Sequence, residues 1–177
     1  MTTAARSASR PVAAPVGDVL YTVHPSPLGD LVLAGPESDV LGSITVPGQR
    51  HATGVQPHWR REDTAFTEAA RQLDAYFAGE LREFSLVLST PTSEFRRRVW
   101  EALDALPYGT TVTYGELARR AGAPAASVRA VGGAVGRNPL TVVRPCHRVM
   151  GANGSLTGYA GGLDRKRFLL QLEGVLL

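Results

Sequence analysis

Short apolar, β-branched runs at 19–24, 31–34 and 40–46 are separated by Pro25-Ser26-Pro27, Gly29-Asp30 and Gly35-Pro36. Strand-length runs bounded by turn residues predict an antiparallel meander. Residues 48–63 are polar and rich in turn formers, which reads as a loop. Phe66, Ala69, Ala70, Leu73 and Phe77 then recur at helical spacing, so a helix is predicted over 64–78 with Gly79 as its stop. Residues 84–88 return to strand character before Ser89-Thr90-Pro91 closes this small α/β unit, which spans 18–91.

The pattern changes after residue 91. Thr92 or Ser93 can cap a helix running to 106, with Phe95, Val99, Ala102, Leu103 and Leu106 on one face and Pro107-Tyr108-Gly109 at its end. Thr113-Tyr114-Gly115-Glu116 has the capping-box spacing and opens a short helix through Arg120. Gly122-Ala123-Pro124 breaks the chain, and 126–135 reads as another helix. Two short helices around a tight glycine-containing turn are a helix-turn-helix candidate, although any αα-hairpin shares the pattern. Ser127, Ala130, Gly132, Gly133 and Ala134 make the second helix one of small residues. Each glycine costs roughly 1 kcal/mol against alanine in a helix interior, so something must favour it. Close helix packing is one reason, and close approach to an external groove is the other. Arg129 projects from this helix, and Arg137-Asn138 follow it.

Composition narrows the class. The chain has 177 residues, 44% of them hydrophobic, enough for one domain or two small ones. No stretch approaches the roughly 20 apolar residues needed to cross a bilayer, and the opening lacks a secretory apolar segment. A cytoplasmic protein with no membrane partner is expected. Residues 1–17, rich in Ala, Ser, Thr and Pro, read as a flexible tail. One cysteine excludes an internal disulfide, and four scattered histidines show no metal-ligand spacing. The formal charge of +3 is unevenly spread: 1–92 carries a net −3 and 93–177 a net +6. A polyanion is the natural partner for the second half, a solvated surface the plainer reading.

Candidate chemistry centres on Cys146. Residues 140–143 read as a short apolar strand that runs into Pro145-Cys146-His147-Arg148-Val149. A lone cysteine is most often a small buried hydrophobe. Here His147, Arg144 and Arg148 offer a base and cations that would lower a nucleophile's pKa. Neighbours in an extended strand face opposite ways, so His147 needs a turn or a water to act on the thiol. Gly151-Ala152-Asn153-Gly154 is a turn, and Gly158-Tyr159-Ala160-Gly161-Gly162 has enough glycine to line a narrow slot. A last helix, 163–172, is followed by Glu173, a carboxylate able to orient His147.

The Pro145–Val149 motif, with Arg129-Ala130-Val131-Gly132-Gly133-Ala134, Asn138-Pro139 and Gly158-Tyr159-Ala160-Gly161-Gly162, resembles the O6-alkylguanine-DNA alkyltransferase family. The likeness is dense over 92–174, close to half the chain. It implies an α/β two-domain fold: a ribonuclease-H-like domain with a small antiparallel sheet over 18–91, and a mostly helical winged helix-turn-helix domain over 92–177. The implied activity is stoichiometric removal of a methyl or small alkyl group from guanine O6, and from thymine O4, in duplex DNA. The base would be flipped out through the minor groove, with no cofactor and no metal.

Residue roles follow from the same likeness. Cys146 matches the alkyl acceptor, His147 the base acting through water, Glu173 the carboxylate that holds it, and Asn138 the hinge that buttresses the motif. Arg129 matches the finger that fills the space of the extruded base, and Tyr114 the residue that turns the phosphate and protonates the leaving guanine. DNA contact is implied for Thr113, Tyr114, Ser127, Arg129, Ala130, Gly132 and Gly133, and a pocket wall for Val135, Val149, Tyr159 and Ala160. The carbonyls of Cys146 and Val149 would accept from the guanine amino group, and the Ala160 amide would lie near O6. Arg96, Arg97, Arg98, Arg119 and Arg120 are candidates for phosphate neutralisation. The expected partner is double-stranded DNA containing O6-alkylguanine, bound by a monomer, with cooperativity on DNA left open. The family's regulatory zinc module is excluded by the cysteine count, Arg144 stands where an apolar residue is usual, and Ala160 where serine is common. A lesion-sensing protein with a structural cysteine and a cysteine hydrolase are the readings from other classes.

Overall fold

The computed structural model describes residues 17–177. Residues 1–16 of the segment read as a tail lie outside them. β1 (Leu20–His24) pairs antiparallel with β2 (Leu31–Gly35), Leu20 opposite Gly35 and His24 opposite Leu31, as alternation and turns predict. The run at 40–46 is two strands rather than one. It divides at Gly42 into β3 (Val40–Leu41) and β4 (Ser43–Thr45). The chain folds tightly onto itself here: a Cβ on Gly35 would stand 1.8 Å from the Val40 carbonyl oxygen, so only glycine allows the approach. β4 continues the meander on β2, and β3 leaves the sheet.

The loop expected over 48–63 contains β5 (Arg60–Arg61), which pairs parallel with β1. The sheet, ordered β4-β2-β1-β5, is therefore mixed and not purely antiparallel. Two exposed arginines carry no apolar alternation, and their strand character comes from β1's open edge.

α1 (Thr67–Phe77) starts later than predicted and buries Ala69, Gln72, Leu73 and Tyr76. Tyr76 is fully buried while Phe77 packs only partly against the core, a face turned by one residue from the expected one. Only Val87–Leu88 of the predicted 84–88 strand forms a strand, β6, parallel to β3. Gln72 holds the preceding segment, exchanging hydrogen bonds with the Ser85 backbone at 2.8 and 2.9 Å.

In the second half, α2 (Glu94–Asp104) starts at Ser93, whose hydroxyl accepts from the Arg96 N–H. Thr113 caps α3 (Tyr114–Arg120) by accepting from the Glu116 N–H at 3.1 Å. The Glu116 carboxylate pairs with Arg119 and Arg120. A 3-10 turn, Ala125–Ser127, leads into α4 (Val128–Gly136). Trp100 of α2 donates to the Ala134 carbonyl at 2.9 Å and fixes α4 against α2. β7 (Val112–Thr113) pairs parallel with β8 (Val149–Met150) beside the α3–turn–α4 unit, completing the winged helix-turn-helix. α5 (Leu163–Leu172) has the predicted bounds. Ile44 of β4 joins the halves, donating to Pro139 O at 2.8 Å and accepting from Thr141 N at 3.2 Å. No helix among the described residues is long and apolar enough to cross a membrane.

Candidate active site

Asn138, two residues past α4, shapes the segment that carries the cysteine. Its Nδ2 donates to Arg144 O at 2.9 Å and lies 3.4 Å from Leu140 O, while its Oδ1 accepts from Leu140 N at 3.0 Å. One amide thus curls 138–144 into a loop, with Val142 at φ 75°, in place of the strand expected over 140–143. The same Nδ2 reaches Cys146 Sγ at 3.2 Å. Cys146–Arg148 is a 3-10 turn, so the strand geometry that would separate Cys146 from His147 does not apply.

A cavity of ≈ 340 Å³ opens over Cys146. Gly132, Gly133, Val135 and Gly136 of α4 form one wall, and Tyr114 and the loop carrying Gly158, Tyr159 and Ala160 form another. Gly158 has φ 58°, and a Cβ there would approach the Tyr114 hydroxyl at 3.4 Å. Arg50 and His51 of the first domain close the mouth with Arg137. Val149, an expected pocket residue, is fully buried and outside this wall. Its carbonyl accepts from Lys166 Nζ, and the Cys146 carbonyl accepts from the Val149 N–H, so both expected guanine acceptors already hold a protein donor.

Behind the cysteine, His147 is fully buried and its Nε2 lies 2.8 Å from Glu173 Oε1. A carboxylate accepts only, so Nε2 carries the proton and Nδ1 is the basic nitrogen. Nδ1 has no hydrogen-bond partner among the described residues. Glu173 also accepts from the Tyr76 hydroxyl at 2.7 Å, the Gly109 N–H at 3.2 Å, and Arg148 Nε and Nη2 at 2.9 and 2.8 Å. Burial would raise its pKa, but the bonds from His147 and Arg148 outweigh that and hold it well below the usual carboxylate range. They also offset the unfavourable placing of a carboxylate at the C-terminal end of α5.

The cations do not do what their order in the chain suggests. Arg148 is committed to Glu173 and to Leu106 O, and Arg144 to Asp104, the Trp100 ring face and Thr90. Burial pushes the Cys146 thiol above its ordinary pKa, against the opposing pull of the Asn138 amide, Lys166 and Arg144. The expected lowering of the thiol pKa by its neighbours is thereby reversed. Burial likewise pushes His147 below its ordinary value, despite Glu173.

Lys166, the single lysine, carries no function by its place in the sequence, and the structure gives it one. It is fully buried, donates to the carbonyls of Val149, Thr157 and Gly158, and so pins the Tyr159 loop; burial brings its pKa down to about 8. Arg50 and His51 were not among the expected site residues, because nothing local ties their polar loop to residues nearly a hundred positions away.

On the helix-turn-helix, Arg129 and Ala130 are exposed on α4, Ser127 is half-buried in the preceding turn, and the Thr113 hydroxyl is engaged as the α3 cap. A Cβ on Gly133 would meet nothing within 4 Å, and one on Gly132 only the Tyr114 ring at 3.9 Å. Internal packing therefore does not demand these glycines, which leaves close approach of something outside the protein, in a groove or at the cavity wall they form. Of the candidate phosphate ligands, Arg97, Arg119 and Arg120 are tied to carboxylates of their own helices, whereas Arg96 and Arg98 pair with no carboxylate among the described residues.

An α/β domain beside a helix-turn-helix domain, with a buried cysteine under the exposed face of the second helix, defines a nucleic-acid-binding protein with a potential nucleophile. Residues 19–90 match the family model for the ribonuclease-like domain of 6-O-methylguanine DNA methyltransferase, and 94–175 match that for its DNA-binding domain. The chain belongs to the 6-O-methylguanine DNA methyltransferase family. It is 50% identical over 154 residues to the methylated-DNA–protein-cysteine methyltransferase of Methanosarcina acetivorans, covering 87% of this chain and 97% of that one. The Mycobacterium leprae protein of the same description is 52% identical over 148 residues, covering 84% and 88%. Among solved structures, Mycobacterium tuberculosis OGT in complex with DNA superposes with a TM-score of 0.81 at 48% identity, covering 87% of this chain and 92% of that one. O6-methylguanine-DNA methyltransferase from Pyrococcus kodakaraensis gives 0.65 at 26% identity, covering 89% and 99%.

Proposed function

We propose that this protein repairs DNA by direct reversal, moving a methyl or small alkyl group from guanine O6, and from thymine O4, to Cys146 in a single irreversible turnover. The observation that carries the reading is Cys146 lining a cavity walled by a small-residue helix, in the same 3-10 turn as the His147 that Glu173 holds. Family membership and the DNA complex of the mycobacterial relative support the choice of substrate.

α4 lies in the minor groove, where Gly132 and Gly133 allow close backbone approach and Arg129 occupies the space of the flipped base. The thiol proton passes through a water to His147 Nδ1, and Glu173 stabilises the imidazolium. Sulfur attacks the alkyl carbon as its bond to O6 breaks, and guanine leaves as its neutral keto base after taking a proton from Tyr114. The Tyr114 phenolate recovers a proton from the imidazolium, so the thiol proton ends on guanine. The thioether on Cys146 is permanent. The protein acts as a monomer in this reading, and the cytoplasm is its place of action.

The test is mass spectrometry after incubation with a duplex containing O6-methylguanine. One methyl per molecule, on the Cys146 peptide, is expected. Cys146→Ser is expected to take up none while still binding DNA. Repeated turnover with the thiol free at the end, or binding with no added mass, would overturn the reading.

A further inference from the structure

Two cavities meet where the domains touch. Beside the cavity over Cys146 lies a cleft of ≈ 130 Å³ between the 48–63 loop and the residues after α4. Arg50, His51 and Arg137 line both, and neither wall contains an aspartate or glutamate. Arg50 and Arg137 are exposed, and no carboxylate oxygen lies within 4 Å of either guanidinium among the described residues. Two fixed positive charges at the mouth of a carboxylate-free cleft make an anion site.

The loop is held in place. The Arg50 N–H donates to Ala160 O at 3.0 Å, joining the loop to the wall residue beside Cys146. Gln49 Oε1 accepts from Val46 N at 3.1 Å and from the Thr141 hydroxyl at 2.9 Å, a second tie across the domains. His51 has φ 63°, a left-handed conformation that few residues with a Cβ adopt.

We propose that Arg50 and Arg137 bind a phosphodiester of the lesion-bearing strand next to the flipped nucleotide, so that the first domain carries part of the DNA interface. The inference rests on the alkyl-transfer reading. A flipped nucleotide brings its base into the cavity while its phosphates stay outside, at the mouth. Both exposed arginines line that opening, and a guanidinium offers paired N–H donors to a phosphate.

The experiment measures binding of the full chain, carrying Cys146→Ser, to a duplex with one O6-methylguanine over a range of salt. Arg50→Ala and Arg137→Ala are each expected to weaken binding about fivefold to tenfold near 0.1 M salt, and to lower the slope of log K against log salt by about one. Arg71→Ala, which removes an equal charge from α1 outside both cavities, serves as the control and is expected to change neither. Neutral methylphosphonates flanking the lesion are expected to erase the difference between Arg50→Ala and its parent. An unchanged slope for Arg50→Ala and Arg137→Ala, or a loss that persists on the methylphosphonate duplex, would overturn the inference. Methyl uptake by the Cys146-containing chain on the same duplex is scored separately. Uptake with an unresponsive slope defeats this inference alone, and no uptake with a responsive slope defeats the alkyl-transfer reading.

Discussion

The phenol of Tyr76 donates to Glu173 Oε1 at 2.7 Å, on the oxygen that His147 Nε2 also contacts at 2.8 Å. Tyr76 lies on α1 of the first domain, and Glu173 follows the last helix. The carboxylate behind the cysteine is thus braced from both halves of the chain. Its stability contribution has a definite pH sign. The folded-state pKa of Glu173 lies below its ordinary value of 4.5, so the contribution is complete above that pH and is lost as pH falls toward the folded value.

Glu173→Ala would leave Arg148 and His147 buried without their acceptor, at an expected cost of about 3–5 kcal/mol. Tyr76→Phe removes one donor of several and is expected to cost about 1 kcal/mol. Chemical denaturation at neutral pH measures both. Repeated at falling pH, the gap between wild type and Glu173→Gln should close below pH 4.5, and a constant gap would mean that the charge is not its source.

Gly133→Ala separates folding from DNA binding. Its added methyl meets no protein atom within 4 Å, so helix propensity alone predicts stabilisation by about 1 kcal/mol. The same methyl on a surface pressed into a groove should weaken duplex binding. A variant that is both more stable and equally tight on DNA would remove α4 from the interface.

The pH dependence of alkyl transfer follows from the two buried groups. Burial moves Cys146 above its ordinary 9.0 and His147 below its ordinary 6.5. Histidine is therefore neutral and basic throughout the neutral range, and the acid limb of the single-turnover rate should lie below pH 6.5. The rate should still be climbing at pH 9 as thiolate accumulates. A plateau reached by pH 7 would show instead a thiolate already formed in the free protein.

Arg129 is exposed on α4 and bonded to nothing among the described residues, so Arg129→Ala should change stability by less than about 0.5 kcal/mol. Its role as a wedge predicts a loss of roughly 30-fold on duplex DNA, equivalent to about 2 kcal/mol of base-flipping free energy. A lesion in single-stranded DNA has no partner to replace, and its repair should suffer far less. Equal losses on both would assign Arg129 to general phosphate attraction.

Much was legible from local signals. Caps placed the starts of α2 and α3, because a helix end is decided by hydrogen bonds within a few residues. The Pro145–Val149 motif marked the cysteine, and Glu173 stood out as the only carboxylate after Asp164. The pairing of β5 with β1 and the departure of β3 were not legible. Both depend on which edges and backbone oxygens the rest of the chain presents.

The amino-acid order alone determined the family, the helices of the second half and the candidate nucleophile. Tertiary structure alone decided that Arg50 and His51 reach the cavity, that Lys166 pins its rim, and that Arg148 serves Glu173 and not the thiol. It also decided the direction of the Cys146 pKa. Neighbouring cations suggest a lowered value, but a pKa sums desolvation and charge over every atom within reach, and most of those atoms belong to residues far away along the chain.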